Sequence, residues 1–238
     1  MSKKRLDRAL VERGLVSSRS QAEHYIKLGY VEVNGQPVLK PSFEVAGSAK
    51  IRINSAQYVS RAALKLASVA ETLGLDFRGK LVIDVGSSTG GFTDYALKHG
   101  AKRVIAVDIG SGQLHPDLRA DSRVEPYEKT DIRSFKTKLK PEIILIDVSF
   151  ISLRLILPAV AALSKKSTQI VAMVKPQFEA GVEEAHKGVI KNDTVRRRIL
   201  KNFENWAKKH FVLSAKADSK VAGSHGNLER FYLLKPML

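Results

Sequence analysis

The sequence predicts an α/β protein in which a parallel sheet flanked by helices follows a small α+β domain. From residue 60 onward, apolar stretches of strand length alternate with amphipathic helical stretches, the pattern of a parallel sheet with crossover helices. A glycine-rich turn directly follows the apolar run Leu81–Val85, and such turns bind ligands in open α/β sheets. Residues 1–54 instead show two short helical patterns and a hairpin, which predicts a separate domain.

In this first domain, the spacing of apolar residues in LDRALV predicts a short helix that ends at Gly14. Ser17 or Ser18 can cap a second helix, which continues to Gly29. The alternating segment YVEV predicts a strand, and Asn34–Gly35 is a strong signal for a hairpin turn. A last strand is expected in AKIRIN.

The second domain is expected to span residues 60–238, after a linker at residues 55–59. Ser60 is expected to cap a helix that Gly74 ends. Strands and helices then alternate up to a C-terminal hairpin made of FVLSAKA and LERFYLL, the second of which contains Glu229. The other predicted strands lie at residues 81–85, 103–107, 124–128, 142–148 and 168–176, and the longest helix lies at residues 193–209.

The turn that follows residues 81–85 indicates a nucleotide-like ligand. Gly86, Gly90 and Gly91 permit positive φ angles and let a ligand approach the backbone closely. Ser88 stands where a dinucleotide-binding fingerprint has its second glycine, which disfavours a NAD-linked enzyme. A tight structural turn would explain these glycines equally well.

Acidic residues near successive strand ends favour a cationic ligand over a pyrophosphate. Asp84 precedes the glycine turn, and Asp131 and Asp147 lie in KTDIR and IILIDVSF. Asp108 ends the next strand, 22 residues after Gly86, at the place where a carboxylate can bind a ribose diol. S-adenosylmethionine carries a sulfonium and a ribose but no phosphate, so it is the predicted cofactor.

The composition indicates a polyanionic partner. The chain has 40 basic and 24 acidic residues and a net charge of +16, and nucleic acid is the commonest partner of such proteins. A solvated basic surface is the alternative. Because the chain has no cysteine and its six histidines lack ligand spacing, no metal site is predicted. The N-terminus has no apolar signal core, and Arg154 and Pro158 interrupt the most apolar stretch, so a cytoplasmic protein without a membrane span is expected.

The stretch RLDRALVERGLVSSRSQAEHYIKLGYVEVNG resembles the small α-L RNA-binding domain of a ribosomal protein and of some pseudouridine synthases. The resemblance implies that the basic start of the second helix meets RNA phosphates, and a helix N-terminus also favours anions. A solvated charged face is the alternative. The expected RNA-binding residues, which include two from the basic helix of the second domain, are Arg5, Arg8, Arg19, Lys27, Arg196 and Arg197.

The pieces SRAALKL, DVGSSTGGF, IDVSF and VKPQFE resemble the FtsJ-like ribose methyltransferases. Together with the first domain, the whole chain resembles the TlyA family, often labelled hemolysin, whose members are RNA 2′-O-methyltransferases. The resemblance implies a Rossmann-like methyltransferase sheet, S-adenosylmethionine as cofactor and ribosomal RNA or ribosomal subunits as substrate. The chain departs from the pattern at Thr89, where a proline is common, and at Ala62–Ala63, where relatives often have paired glycines.

The resemblance also implies the site residues. The family's catalytic tetrad carries over onto Lys65, Asp147, Lys175 and Glu229. With the residues of the glycine turn, the expected cofactor-binding residues are Asp84, Gly86, Ser88, Thr89, Gly90, Gly91, Phe92, Asp108, Asp131 and Asp147.

The tetrad suits the chemistry, because a ribose hydroxyl is a poor nucleophile until its proton is removed or polarised. A neutral lysine can accept that proton, and burial beside a second ammonium favours the neutral form. Lys175 is assigned this role, with Lys65 as the neighbouring cation, Asp147 orienting Lys175, and Glu229 holding Lys65 or the ribose. Alternatively, Lys175 only steers the hydroxyl while proximity drives transfer.

Three other functional classes share parts of this sequence pattern. A non-catalytic RNA-binding or ribosome assembly factor would share the basic first domain but would not need the tetrad. A membrane-active hemolysin would need secretion and a membrane-active segment, and neither is visible. A pseudouridine synthase would share the first domain, but no corresponding catalytic domain is found.

Overall fold

The chain divides into two units, Met1–Gln57 and Tyr58–Leu238. The computed structural model describes residues 3–27, 29–53, 58–180, 189–190, 192–223 and 226–237. Most of the linker expected at residues 55–59 therefore lies outside the described residues. Among the residues that are described, no helix combines the length and the apolar character that crossing a membrane requires.

In the first unit, two helices pack beside short antiparallel strands. The helices are α1 (Leu6–Glu12) and α2 (Arg19–Lys27), and the strands are β1 (Lys4–Arg5), β2 (Val31–Val33), β3 (Gln36–Pro37), β4 (Glu44–Val45) and β5 (Ile51–Ile53). Strand β2 lies between β3 and β5, while β1 pairs with β4. The predicted hairpin turn is confirmed, since Asn34 and Gly35 have φ angles of 52° and 80°. Ser18 caps α2, because its Oγ accepts a hydrogen bond from the backbone N of Gln21 at 3.2 Å.

The second unit is a seven-stranded mixed sheet in the order β11-β12-β10-β9-β6-β7-β8. Its strands are β6 (Leu81–Val85), β7 (Arg103–Val107), β8 (Val124–Tyr127), β9 (Ile143–Ile146), β10 (Gln169–Val174), β11 (Phe211–Asp218) and β12 (Arg230–Pro236). Its helices are α3 (Arg61–Ala70), α4 (Gly91–Lys98), α5 (Pro116–Ala120), α6 (Leu153–Leu163), α7 (Pro176–Glu179) and α8 (Asp193–Ala207). Strands β6 to β10 run parallel, and β12 is antiparallel to both β10 and β11.

The central strands read as continuous apolar runs because helices cover both faces of the sheet. Neighbouring residues of a strand point to opposite faces, so Val82 joins the core cluster under α3 and α4, whereas Ile83 joins the cluster under α6 and α8. Phe92 packs in the first cluster and Phe203 in the second. The apolar faces of the helices thus fix the sheet between them and leave the strand ends free to carry polar side chains.

The end of α3, the cap at its start and the start of β12 differ from the sequence-based prediction. The helix expected from Ser60 to Gly74 is regular only to Ala70, and Ser60 occupies the N-cap position without a side-chain capping bond. Glu229 precedes β12, which begins at Arg230, because the ladder with β11 starts at the pair Asp218 and Arg230. Glu229 therefore lies in the connection before the strand, where its backbone is not part of the sheet.

Candidate active site

Four of the predicted catalytic and cofactor-binding residues lie at the carboxyl ends of four neighbouring strands. Gly86 follows β6, Asp108 follows β7, Asp147 follows β9 and Lys175 follows β10. These strands are adjacent and parallel, so their carboxyl ends meet at one edge of the sheet. The chain leaves β6 toward β7 on one side while β9 lies on the other, and such a reversal of strand order opens a crevice.

A cavity of about 540 Å³ occupies this crevice. Its walls include five of the predicted cofactor-binding residues, namely Gly86, Ser88, Asp108, Asp131 and Asp147. Apolar side chains, such as Val107 at the end of β7 and Ile132 in the segment after β8, complete the lining. A cavity of this size and mixed character is suited to a small organic ligand with a few polar groups.

The first glycine of the turn is required by a close approach between two strand ends. Gly86 has a φ angle of 78°, and a Cβ atom there would lie 2.5 Å from the backbone oxygen of Asp147. Ser88 also has a positive φ angle, of 47°, and its backbone N donates to Asp108 Oδ2 at 2.7 Å. The turn therefore ties the ends of β6, β7 and β9 together at the wall of the cavity.

The rest of the turn does not line the cavity. A Cβ atom on Gly90 would lie 2.3 Å from a methyl carbon of Leu118, and one on Gly91 would lie 2.3 Å from Ser60 Oγ. Both glycines thus let neighbouring helices pack closely. Phe92, expected at the cofactor, is buried with its ring centroid 6.0 Å from that of Phe231. Thr89 contributes its backbone oxygen to a hydrogen bond with the backbone N of His115 at 3.2 Å.

Asp84 is likewise placed behind the cavity wall, where it is 1% exposed. Its Oδ2 accepts hydrogen bonds from the backbone N and the Oγ1 of Thr93, at 2.9 Å and 2.7 Å. Burial raises the pKa of Asp84 to about 7. The hydrogen bonds from Thr93 act to lower this pKa, and the charges of Asp147 and Asp108 act to raise it. Asp84 therefore braces the start of α4 against β6 and supports the turn from within.

Two other acidic residues do face the cavity. Both carboxylate oxygens of Asp108 accept backbone hydrogen bonds, from Ser88 and from Gly110, each at 2.7 Å. Each oxygen has a second lone pair, so the carboxylate can still accept the hydroxyls of a ribose. Asp131 accepts hydrogen bonds from the side chain and backbone N of Arg133, which lower the pKa of Asp131. The sequence interpretation missed Arg133, which also lines the cavity.

The four tetrad residues form two ion pairs. Lys175 Nζ lies 2.6 Å from Asp147 Oδ1, and the two side chains are 11% and 16% exposed. Lys65 Nζ lies 2.7 Å from Glu229 Oε2, with 12% and 3% exposure. Lys175 Nζ also donates to Ser149 Oγ at 2.8 Å, a contact that the sequence interpretation missed. Each ammonium is thus held by a nearly buried carboxylate.

Electrostatics link the two pairs. Burial raises the pKa of Glu229, and the charge of Lys65 acts to lower it. The charge of Asp147 also raises this pKa, whereas the charge of Lys175 lowers it. The structure therefore brings together four side chains from α3, from the ends of β9 and β10, and from the segment before β12. Gly223 lies against Glu229, since a Cβ atom on it would lie 2.3 Å from Glu229 Oε1.

An exposed aromatic residue beside the tetrad was also missed. Phe150 lines the cavity, is 91% exposed and has a φ angle of 64°, a conformation that is rare for a bulky residue. Its ring centroid lies 5.1 Å from that of Phe178, whose ring in turn lies 5.9 Å from Lys175 Nζ. The motif IDVSF contains Phe150, but its positive φ angle and the exposure of its ring could not be predicted from the sequence.

Arginines expected to bind RNA in the first unit are organised by a buried carboxylate. Asp7 is 0% exposed and lies 2.9 Å from Arg5 Nη2 and 2.8 Å from Arg19 Nε, while these arginines are 41% and 50% exposed. Hydrogen bonds from Arg5, opposed by burial and supported by Arg19, lower the pKa of Asp7 to about 2. Arg8 and Lys27 are exposed. Four basic side chains of this unit are therefore accessible to a polyanion.

The two arginines expected to bind RNA from α8 differ sharply. Arg197 is 69% exposed and pairs with Asp193 at 2.8 Å. Arg196 is only 8% exposed and lies 2.5 Å from Asp218 Oδ1, so the expectation that it contacts RNA does not fit its position. A signal was available, because Arg196 precedes Ile199 and Leu200 by three and four residues, the spacing of one helix face.

Comparison with known proteins shows similarity over nearly the whole chain. A model of the FtsJ-like methyltransferase family matches residues 58–235, and a model of the S4 domain matches residues 4–51. YqxC of Bacillus subtilis, whose name proposes an rRNA methyltransferase, is 41% identical over 95% of this chain and 84% of its own length. The 16S/23S rRNA (cytidine-2′-O)-methyltransferase TlyA of Mycobacterium tuberculosis is 36% identical over 97% of this chain and 89% of its own length. A solved structure from Streptococcus thermophilus, whose name proposes a hemolysin, has a TM-score of 0.73 and 36% identity, covering 99% of this chain and 89% of that one.

Proposed function

The chain belongs to the FtsJ-like methyltransferase family and carries an S4 domain, and from that premise we propose that it methylates ribose 2′-hydroxyls of ribosomal RNA with S-adenosylmethionine. The observation that carries the proposal is the pair of ion pairs, Lys175 with Asp147 and Lys65 with Glu229, which meet the cavity at Asp147. A non-catalytic RNA-binding protein has no need to hold two lysines and two carboxylates largely out of water, because desolvation of such charges is costly.

The cavity fits the proposed cofactor chemically. Asp108 keeps free lone pairs for the hydroxyls of a ribose, and Asp131 offers a second carboxylate from the neighbouring loop. Asp147 supplies a negative charge at the cavity wall, which favours a sulfonium. S-adenosylmethionine supplies an electrophilic methyl group on that sulfonium. We assign its binding to Asp108, Asp131 and Asp147 together with the backbone at Gly86 and Ser88.

We assign the handling of the ribose hydroxyl to Lys175. Asp147 and Ser149 hold the Lys175 ammonium from two directions, at 2.6 Å and 2.8 Å, which restricts it to one orientation. In its neutral form Lys175 would accept the hydroxyl proton, and in its charged form it would donate a hydrogen bond that orients the hydroxyl. Lys65, fixed by Glu229 at 2.7 Å, supplies the second ammonium of the tetrad.

Affinity for RNA is assigned mainly to the S4 domain. Arg5, Arg8, Arg19 and Lys27 present basic groups there, and Arg197 adds one in the second unit. Contacts of this kind release counterions from the RNA, so binding should weaken steeply as salt is raised. Action on ribosomal RNA would place the protein in the cytoplasm.

The test is to incubate ribosomal RNA and ribosomal subunits with the protein and S-adenosylmethionine, then to map ribose methylation nucleotide by nucleotide. We expect a defined methylated position with the wild type and none with Lys175→Met. Tight, salt-sensitive RNA binding without any new ribose methylation would favour the non-catalytic RNA-binding factor. Lysis of vesicles or red cells by the pure protein, without RNA methylation, would favour the hemolysin.

A further inference from the structure

The buried arginine of α8 is engaged with the segment that carries Glu229. Arg196 Nε donates to the backbone oxygen of Leu228 at 3.0 Å, and its Nη2 donates to Asp218 Oδ1 at 2.5 Å. A guanidinium that is 8% exposed needs several acceptors, because an unpaired buried charge is strongly destabilising. Here one acceptor is the carbonyl immediately before Glu229.

Asp218 holds the residue on the other side of Glu229. It accepts two hydrogen bonds from Arg230, at 2.7 Å and 2.8 Å, and is the ladder partner of Arg230 between β11 and β12. Burial would raise the pKa of Asp218, but hydrogen bonds from Arg230 and Arg196 outweigh it and lower that pKa. Two arginines therefore share one carboxylate.

The backbone of Glu229 itself is also fixed, because its oxygen accepts a hydrogen bond from the backbone N of Ser219 at 3.0 Å. Residues 228, 229 and 230 are thus each tied to the end of β11 or to α8. The carboxylate of Glu229 lies in a narrow space between Gly223 and Lys65. Since Glu229 precedes the regular part of β12, these bonds replace the sheet as its support.

We propose that Arg196 and Asp218 are positioning residues that hold Glu229 against Lys65. The proposal rests on the proposed function, in which Lys65 acts beside Lys175. A nearly buried ion pair repays the desolvation of its charges only when its geometry is well defined, and the network of Arg196 and Asp218 supplies that definition from outside the tetrad. Neither residue needs to touch substrate or cofactor for this role.

A double-mutant cycle tests the proposal on the full chain. Single-turnover methyl transfer at saturating RNA and cofactor is measured for Arg196→Gln, Glu229→Gln and the double variant, and Arg196→Lys is included as the conservative replacement. We expect Arg196→Gln alone to lower the rate about 10- to 100-fold, as small displacements of catalytic groups do, with cofactor affinity unchanged. In the Glu229→Gln background, the same substitution should cost less than about twofold, because coupled residues are not additive. Arg196→Lys should recover part of the rate.

A matched control comes from the same helix. Lys201→Gln removes one positive charge from an exposed position of α8, and its rate should stay within about twofold of wild type. An equal loss for Arg196→Gln in both backgrounds would overturn the proposal, since it would mean that Arg196 acts independently of Glu229. If Arg196→Gln fails to fold, Asp218→Asn takes its place in the same double-mutant cycle with Glu229→Gln.

A second measurement separates this proposal from the proposed function. The carboxyl ¹³C resonance of Glu229 is followed through a pH titration in wild type, Arg196→Gln and Lys201→Gln. We expect the Glu229 titration to shift in Arg196→Gln only, whether or not any RNA is methylated. An unchanged titration in Arg196→Gln would refute the positioning role, whereas absence of methyl transfer by the wild type would refute only the proposed function.

Discussion

Replacing Lys175 by methionine removes the group on which the proposed reaction depends. Methionine keeps much of the aliphatic stem but takes away the donor that lies 2.6 Å from Asp147 and 2.8 Å from Ser149. Loss of one partner from a fully buried pair costs about 3–5 kcal/mol of stability. Because the side chain of Asp147 is 16% exposed, water can take over part of the lost contact, and we expect a cost of about 1–3 kcal/mol.

The effect on the reaction should be larger than the effect on folding. General acid–base groups contribute about 10²–10⁴-fold to a rate, which corresponds to about 3–5 kcal/mol of barrier. Single-turnover methyl transfer to ribosomal RNA measures this loss, while calorimetry checks that Lys175→Met still binds S-adenosylmethionine and RNA. Lys165→Met serves as the control, since Lys165 is 40% exposed and pairs with Glu142 at 2.8 Å, away from the cavity-lining residues.

A Lys175→Met rate within about threefold of wild type would refute the assignment of the tetrad, because a positioned acid or base contributes about 10²-fold or more to a rate. The pH profile of the wild type tests the finer point. If Lys175 is the base, the rate should rise with pH until the lysine is neutral. A flat profile would count only against the base role and would leave the orienting role in place.

Three carboxylates give three further predictions. Asp108→Ala should weaken S-adenosylmethionine binding about 10- to 100-fold in calorimetry, because the cavity loses a charged acceptor, and unchanged affinity in a folded variant would remove Asp108 from the site. The pKa of Asp7, lowered to about 2 chiefly by Arg5, gives a stabilisation on the order of 1–2 kcal/mol that is present above pH 3.8 and is lost as the pH falls to 2. In Asp7→Asn this loss of stability at acid pH should be absent, as measured by hydrogen exchange of α1 and α2. An identical pH dependence of exchange in the variant and the wild type would contradict the prediction. The pKa of Asp84, raised to about 7 by burial, means that the contribution of Asp84 to stability falls as the pH rises from 3.8 to 7. Urea unfolding should therefore show Asp84→Asn gaining stability relative to wild type across that range. A stability difference between the two proteins that does not change with pH would show that the pKa of Asp84 is not the cause.

The meeting of Asp108, Asp147 and Lys175 could be predicted because it follows from topology. Each residue comes directly after an apolar run of strand length, and the runs alternate with helical patterns. Parallel strands that are neighbours in a sheet necessarily place their carboxyl ends together. The prediction of β7 at Arg103–Val107 is confirmed to the residue, so the register of its end, and hence the position of Asp108, was available from the sequence.

The roles of the glycines could not be separated in the same way. A glycine is required equally where a ligand approaches the backbone and where another part of the chain does. At Gly90 and Gly91 the space of the missing side chain is taken by Leu118 and Ser60, which are distant in sequence. Only the packed structure shows which neighbour fills the space, so the sequence overestimated the number of residues at the cavity.

For Arg196, the burial could be predicted from the sequence but the hydrogen-bond partners could not. That Arg196 lies on the buried face of its helix could be predicted, because Ile199, Leu200 and Phe203 follow it at the spacing of a buried stripe. A buried arginine, however, is stable only with its acceptors, and the backbone oxygen of Leu228 lies 32 residues farther along the chain. Such a partner depends on how the C-terminal hairpin docks against α8, which no local pattern specifies.

The charges of the tetrad lead to a last prediction about the cofactor. With both lysines protonated, the two ion pairs are neutral together. A neutral Lys175 leaves Asp147 uncompensated at the wall of the cavity, where a sulfonium would compensate it. Deprotonation of Lys175 and binding of S-adenosylmethionine therefore favour each other, and linkage requires the affinity to rise with pH, by at most about tenfold per pH unit for one proton.

Two matched comparisons isolate this effect in calorimetry carried out as a function of pH. S-adenosylhomocysteine lacks the sulfonium charge, and Lys175→Met lacks the titrating group, so the rise in affinity should disappear in both cases. Equal slopes for the two ligands would show that the sulfonium charge does not sense Lys175. An unchanged slope in Lys175→Met would assign the proton to another group, and either result would separate cofactor binding from the protonation step that the proposed base requires.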